Sequence, residues 1–129
     1  MTRIAYLGPE GTFTEAALRQ MADRGMIPRP GTVEPVTAEG AAAALAQVRD
    51  GTADYACVPI ENSIDGSVLP TLDSLAGGAP LQLFAELTLD VAFSIVVRPG
   101  LAAAEVQTIA AFPVAESCPG PPSAVKPPR

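Results

Sequence analysis

Ile4-Ala5-Tyr6-Leu7-Gly8-Pro9-Glu10-Gly11-Thr12-Phe13-Thr14 changes character twice. Four apolar side chains in a row fit a buried strand, and Gly8-Pro9 ends it in a turn. Thr12 or Thr14 can then cap a helix that runs to about Gly25, with Glu15 in its first turn and an apolar side made by Phe13, Ala17, Leu18 and Met21. The same alternation continues outward. Thr32 to Val36 reads as a weak strand near a sheet edge, because Pro35 has no N–H to give to a ladder. Thr37 is the expected cap of a second helix over Ala38 to Asp50, where Ala41, Ala44, Leu45 and Val48 follow the helical period and Gly51 stops it. Tyr55 to Ile60 is the second clear strand. A third helix spans Ser67 to Ala76, with Pro70 tolerated in its first turn and Gly77-Gly78 closing it. Two β-rich runs follow, Leu81 to Leu89 and Val91 to Val97, ended by Pro99-Gly100. Strand and helix in alternation predict an α/β sheet with parallel strands and right-handed crossovers.

Composition bounds what such a sheet could do. The 129 residues suffice for one ordinary domain or a piece of a larger one. Apolar residues make up 48 % but aromatics only 5 %, and Trp is absent, so the core must be built from Ala, Leu, Val and Ile. Eight basic residues against 14 acidic ones, a net charge of −6, argue against a nucleic-acid footprint or a polybasic membrane contact. Without His there is no Ser-His-Asp triad, imidazole base or His-ligated metal; Cys57 and Cys118 cannot make a disulfide framework or a four-ligand zinc site. No metal and no organic cofactor is expected. The chain enters its first strand at once and has no apolar run of membrane-spanning length, which points to a cytoplasmic protein without leader or span. From Pro113 to Arg129 the character shifts: Pro113, Pro119, Pro121, Pro122, Pro127 and Pro128 cannot continue a helix or ladder. The expected organisation is therefore an ordered part over 1–112 and a disordered or loosely extended Pro-rich tail over 113–129.

In a parallel α/β sheet the loops leaving the carboxyl ends of the strands open on one edge, and ligands bind there. Two such loops are unusually polar: Gly8-Pro9-Glu10-Gly11-Thr12, and Glu61-Asn62-Ser63-Ile64-Asp65-Gly66-Ser67. Each feeds a helix N-terminus, whose unpaired N–H groups and positive dipole end favour an anion. Thr12, Asn62, Ser63 and Ser67 add donors. The basic residues Arg19, Arg24, Arg29 and Arg49 read as lying on helices or connectors away from these loops, and Lys126 is in the tail. The result is a cleft for a small carboxylated molecule held by helix ends and hydroxyls. Each loop also has a plain structural reading. Gly8 to Gly11 matches neither a dinucleotide fingerprint nor a Walker A loop, and is a turn plus helix cap when taken alone; Asn62-Ser63 is common turn chemistry. Cys57 in an apolar strand is core, and Tyr6 and Tyr55 read as strand packing, with a role in the cleft as the alternative.

Taken together the two loops go further. Gly8-Pro9-Glu10-Gly11-Thr12-Phe13-Thr14, then Pro59-Ile60-Glu61-Asn62-Ser63-Ile64-Asp65-Gly66-Ser67-Val68 and Thr71-Leu72-Asp73-Ser74-Leu75, resemble the prephenate dehydratase family in order and spacing, and the likeness runs from about Arg3 to Pro113. The resemblance implies a bilobed fold like type II periplasmic binding proteins, of which this chain holds one parallel-sheet lobe and an incomplete second. It implies a carbon–oxygen lyase that converts prephenate to phenylpyruvate in L-phenylalanine biosynthesis, without a cofactor, and homo-oligomeric in its full-length members. By matched motif, Thr12, Asn62, Ser63 and Gly66 would contact substrate, with Gly11 and Glu61 in support. The family associates its proton donor with a Thr in a Thr-Arg-Asp/Phe-Thr-type motif on the second lobe. Here the only Thr beyond position 90 is Thr108, in another context. The expectation is a family member carrying one half of the cleft, its family pattern lost after about Ala115 and its activity alone absent. The alternative is a non-enzymatic small-molecule binding module of the periplasmic-binding-protein type.

Overall fold

The computed structural model describes residues 1–28 and 31–111. Within Met1–Asp90, the first of two compact units, lie the regular sheet and helix elements of the described residues. These are β1 (Thr2–Leu7), α1 (Phe13–Asp23), β2 (Val33–Ala38), α2 (Ala41–Arg49), β3 (Tyr55–Cys57), the short β4 (Glu61–Asn62) and β5 (Gly66–Ser67), and α3 (Leu69–Ala76). In the second unit, from Val91 onward, the described residues hold one 3-10 turn, Ala103–Glu105.

The sheet is parallel, ordered β2-β1-β3. β1 is the central strand, and successive side chains serve its two faces. Ile4 and Tyr6 pack with Leu18 of α1 and Cys57 of β3, supported by Ala17, Met21, Ile27, Val33 and Tyr55. On the other face Ala5 meets Ala38, Ala44 and Ala53, with Val48, Ala56 and Val58 around them. The α1 face is thus built from bulk and the α2 face from methyl groups, which lets α2 sit close on the sheet. α3 packs on α2. Arg49, at the end of α2, donates to the carbonyls of Ser74 (2.6 Å), Gly77 (3.0 Å) and Ala79 (3.0 Å), fastening its guanidinium on the open carboxyl end of α3.

Several expectations need correction. Thr37 does not cap a helix: Thr37 and Ala38 are the last residues of β2, paired with Tyr6 and Leu7, and α2 starts at Ala41 behind Gly40. A β-branched residue suits a strand as well as a cap, and a parallel partner decides the matter. β3 stops at Cys57 rather than Ile60; Pro59, which cannot donate, lies just beyond. Ser67 belongs to the β4–β5 hairpin, so α3 begins at Leu69, although Pro70 does stand in its first turn. No strand forms over Leu81–Leu89 or Val91–Val97, because neither run finds a ladder partner among the described residues. Leu83, Phe84, Val91, Phe93, Ile95 and Val96 are instead substantially exposed. By contrast, Pro35 does lie on an edge strand, and Gly25 (φ 66°) and Gly51 (φ 81°) do end α1 and α2 in the left-handed conformation that glycine adopts without penalty. The Pro-rich stretch 113–129 lies outside the described residues.

Candidate functional site

Because β1 and β3 are adjacent and parallel, with Tyr6 opposite Cys57, the loop after Leu7 and the loop after Cys57 leave the sheet at the same, carboxyl edge. A contact from the Cys57 thiol to the Thr14 carbonyl (3.8 Å) ties the end of β3 to the start of α1. A shallow depression of about 300 Å³, lined by Met1, Arg3 and Gly51 to Asp54, opens at the opposite edge.

The first corner is held by its own hydrogen bonds. Thr12 is the N-cap of α1: its hydroxyl donates to the Leu7 carbonyl (3.0 Å) and accepts from the Glu15 N–H (3.4 Å). Glu15 reaches back, and its Oε2 accepts the Gly11 N–H at 2.6 Å. This is a capping box displaced by one residue, since the usual box returns to the N-cap N–H itself. The other Glu15 oxygen is held by the Arg19 guanidinium, through Nε at 2.9 Å and through Nη2. The Gly11 N–H first, and Arg19 second, hold the Glu15 carboxyl below the usual carboxylate range. Arg19 therefore serves this corner and does not lie apart from it. Tyr6, buried beneath, has its phenol pushed up by burial and by the nearby Glu15 and Glu10 charges; it is packing, as expected.

The second corner is the β4–β5 hairpin. Asn62 accepts the N–H groups of Ile64 (3.0 Å) and Asp65 (2.6 Å) on its side-chain oxygen, a self-made turn. Gly66 turns the chain at φ 77°, and a Cβ there would meet no heavy atom within 4 Å, so backbone conformation alone calls for glycine. Glu61 pairs with Ser67 in the hairpin and is exposed, as is Ser63 at the tip. The hairpin is moored to α3 by the Val68 N–H on the Ile60 carbonyl (2.9 Å) and by Thr71, fully buried, whose hydroxyl donates to the Pro59 carbonyl at 2.7 Å.

Two residues central to this edge are absent from the set chosen on sequence: Glu15 and Thr71. Glu15 carries a readable signal, the Thr-x-x-Glu spacing from Thr12. Thr71 opens the Thr71-Leu72-Asp73-Ser74-Leu75 stretch of the family resemblance, but no local spacing marks its hydroxyl as a tether to the Pro59 carbonyl. The buried Cys57 thiol is raised to about 11 by burial, which removes it from nucleophilic or ligand chemistry at neutral pH. Among the described residues no cluster of Cys, Asp and Glu could hold a metal ion, and no helix is long and apolar enough to cross a membrane.

Residues 4–118 match the family model of prephenate dehydratase. The prephenate dehydratase of Mycobacterium avium (strain 104) is 71 % identical over 114 residues, covering 87 % of this chain and 36 % of the relative. That of Mycobacterium tuberculosis (strain ATCC 25618 / H37Rv) is 70 % identical over 117 residues, 89 % of this chain and 36 % of the relative. Among solved structures, prephenate dehydratase from Arthrobacter aurescens in complex with L-Phe superposes at a TM-score of 0.50 with 43 % identity, over 61 % of this chain and 24 % of that one. This chain thus spans little more than a third of the length of the curated relatives it matches. A family model covering nearly all of the chain, relatives at about 70 % identity and a parallel α/β sheet that presents both motif loops on one edge have a single consequence: the chain belongs to the prephenate dehydratase family.

Proposed function

We propose that this chain provides one wall of a prephenate dehydratase site, the corners after β1 and β3 receiving the carboxylates of prephenate. The observation that carries the reading is the parallel pairing of β1 with β3, which opens both polar corners on one edge. In the reaction the ring carboxylate leaves as CO2, its bonding electrons complete the aromatic ring, and the ring C–O bond breaks as the hydroxyl takes a proton and departs as water. Phenylpyruvate remains. Thr12 holds the first corner in shape, while Asn62, Ser63 and Gly66 line the second, with Gly11 and Glu61 supporting them. Ser63 is the cleanest contact residue, since its hydroxyl is exposed and makes no hydrogen bond among the described residues. The proton donor that the family places on a second lobe has no counterpart in this sequence, so the chain binds without turning over. Cytoplasmic phenylalanine biosynthesis, and assembly with further copies, follow from the family reading and rest on it alone.

The test is titration of the chain with prephenate, following backbone amides by NMR and phenylpyruvate by its absorbance in alkali. Saturable shifts at Gly11, Thr12, Asn62 and Ser63 without phenylpyruvate are the expected result, with Ser63→Ala weakening binding at an unchanged melting temperature. Shifts confined to other residues would remove the site; brisk turnover would refute the missing donor.

A further inference from the structure

We infer that Glu15 is a positioning residue for the ligand, acting through the Gly11–Thr12 corner, an inference that rests on the site reading above. A carboxylate with a side chain only 6 % exposed is costly unless its oxygens are bonded. Glu15 divides its two oxygens between a backbone N–H at the corner and a guanidinium from the next turn of its own helix. Gly11 is exposed and sits at φ 85°, with open space where a Cβ would be. Its N–H bond to Glu15 fixes where the Gly11 peptide points. Thr12 is fixed by the reciprocal bond from the Glu15 N–H and by its own bond to Leu7, which joins the corner to the end of β1.

The displacement of the capping box matters here. Because Glu15 takes the Gly11 N–H, it does not occupy the Thr12 N–H, as a box in the usual register would. The first free donor of the helix end is thereby kept for a carboxylate, next to a hydroxyl already locked. Arg19 completes the device: it balances the Glu15 charge, so that a second carboxylate can approach the corner without facing an uncompensated negative group. Glu15 touches no substrate in this scheme. It sets the geometry of groups that do.

The experiment compares the unsubstituted chain with Glu15→Ala and Glu15→Gln, below the melting transition of all three. Hydrogen exchange of the Gly11 amide is read without ligand, and prephenate affinity by titration. Loss of a charge-assisted bond predicts roughly tenfold faster Gly11 exchange and roughly tenfold weaker prephenate binding in Glu15→Ala, with Ile4 to Tyr6 amides unchanged. In Glu15→Gln the amide oxygen still accepts from Gly11, and both readouts recover to within about threefold of the unsubstituted chain. A purely structural role would lower the melting temperature of either variant without this rescue. Undiminished prephenate binding by folded Glu15→Ala, or a Gln variant as poor as Ala, overturns the inference. If the unsubstituted chain fails to bind prephenate, the site reading falls and the ligand role falls with it. Protected Gly11 in that case marks the failure as one of the site and not of the clamp, whereas unprotected Gly11 shows that the clamp itself is absent.

Discussion

The two corners of the carboxyl edge reach similar ends by different means. After β1 the chain is held from a distance: by Glu15 from within the helix, by Thr12 on Leu7, and by β2, where the Gly8 N–H continues the ladder onto the Ala38 carbonyl (3.0 Å). After β3 the hairpin is shaped by its own Asn62 side chain and moored at one buried point, Thr71 on Pro59. The glycines differ accordingly. A Cβ on Gly8 would lie 2.9 Å from the Thr37 Cβ, whereas one on Gly66 would meet nothing. The first corner is restricted by space and the second by backbone conformation. The first spends its polar side chains on the fold, and the second leaves the Ser63 side chain exposed.

The contrast can be broken in four ways, in descending order of effect. Gly8→Ala forces apart two paired strands at a backbone-proximal atom that cannot swing away, and should cost about 1–3 kcal/mol in denaturant unfolding, with altered amide shifts in both β1 and β2. An unchanged midpoint would mean that the first corner is not space-limited. Thr71→Val keeps the shape of the side chain but takes the hydroxyl donor from the part-buried Pro59 carbonyl, at about 1–2 kcal/mol, with the shift changes centred on the hairpin and α3. Gly66→Ala should cost about 1 kcal/mol from the left-handed conformation alone, and Gly66→Asn clearly less, since asparagine tolerates that region. Equal losses for Ala and Asn would argue for hidden crowding at the second corner.

The gentlest probe is pH. Glu15 has a folded-state pKa held below its ordinary 4.5, so it adds stability that is complete above about that pH and is lost as pH falls through the lowered folded value. Melting temperature should therefore fall on acidification below about pH 4.5. The acid sensitivity should shrink in Glu15→Gln, which has no carboxyl to protonate. A fall of the same size in that variant would assign the effect to other carboxylates, Asp50 with its Thr52 bonds among them.

Much of the first corner can be read from letters because its signals are local. Gly8-Pro9 ends a strand, Thr12 caps a helix, and Glu15 stands three residues on. Gly25, Gly51 and Pro70 likewise mark ends and beginnings, because positive φ and a missing N–H are properties of single residues. Thr37 is the counterexample. Its side chain suits a cap or a strand equally, and only pairing with Tyr6 decides between them. Leu81–Leu89 and Val91–Val97 fail for the same reason from the other side: strand-like composition is no strand until a second chain segment offers its N–H and C=O groups. Arg19 and Arg49 were equally unreadable, since what a long side chain reaches depends on where neighbouring turns and helices end.

By itself the sequence determined the alternating α/β character, the two polar loops with their helix caps, the membership in a family, and the exclusion of histidine chemistry; all follow from residue types and short spacings. Only the tertiary structure decided that β1 lies between β2 and β3, that both loops therefore leave one edge, and that Glu15 and Thr71 hold them there. The physical reason is range. Capping, turns and helical period act within a few residues, whereas strand order and the pairing of buried polar groups join segments that no local rule connects.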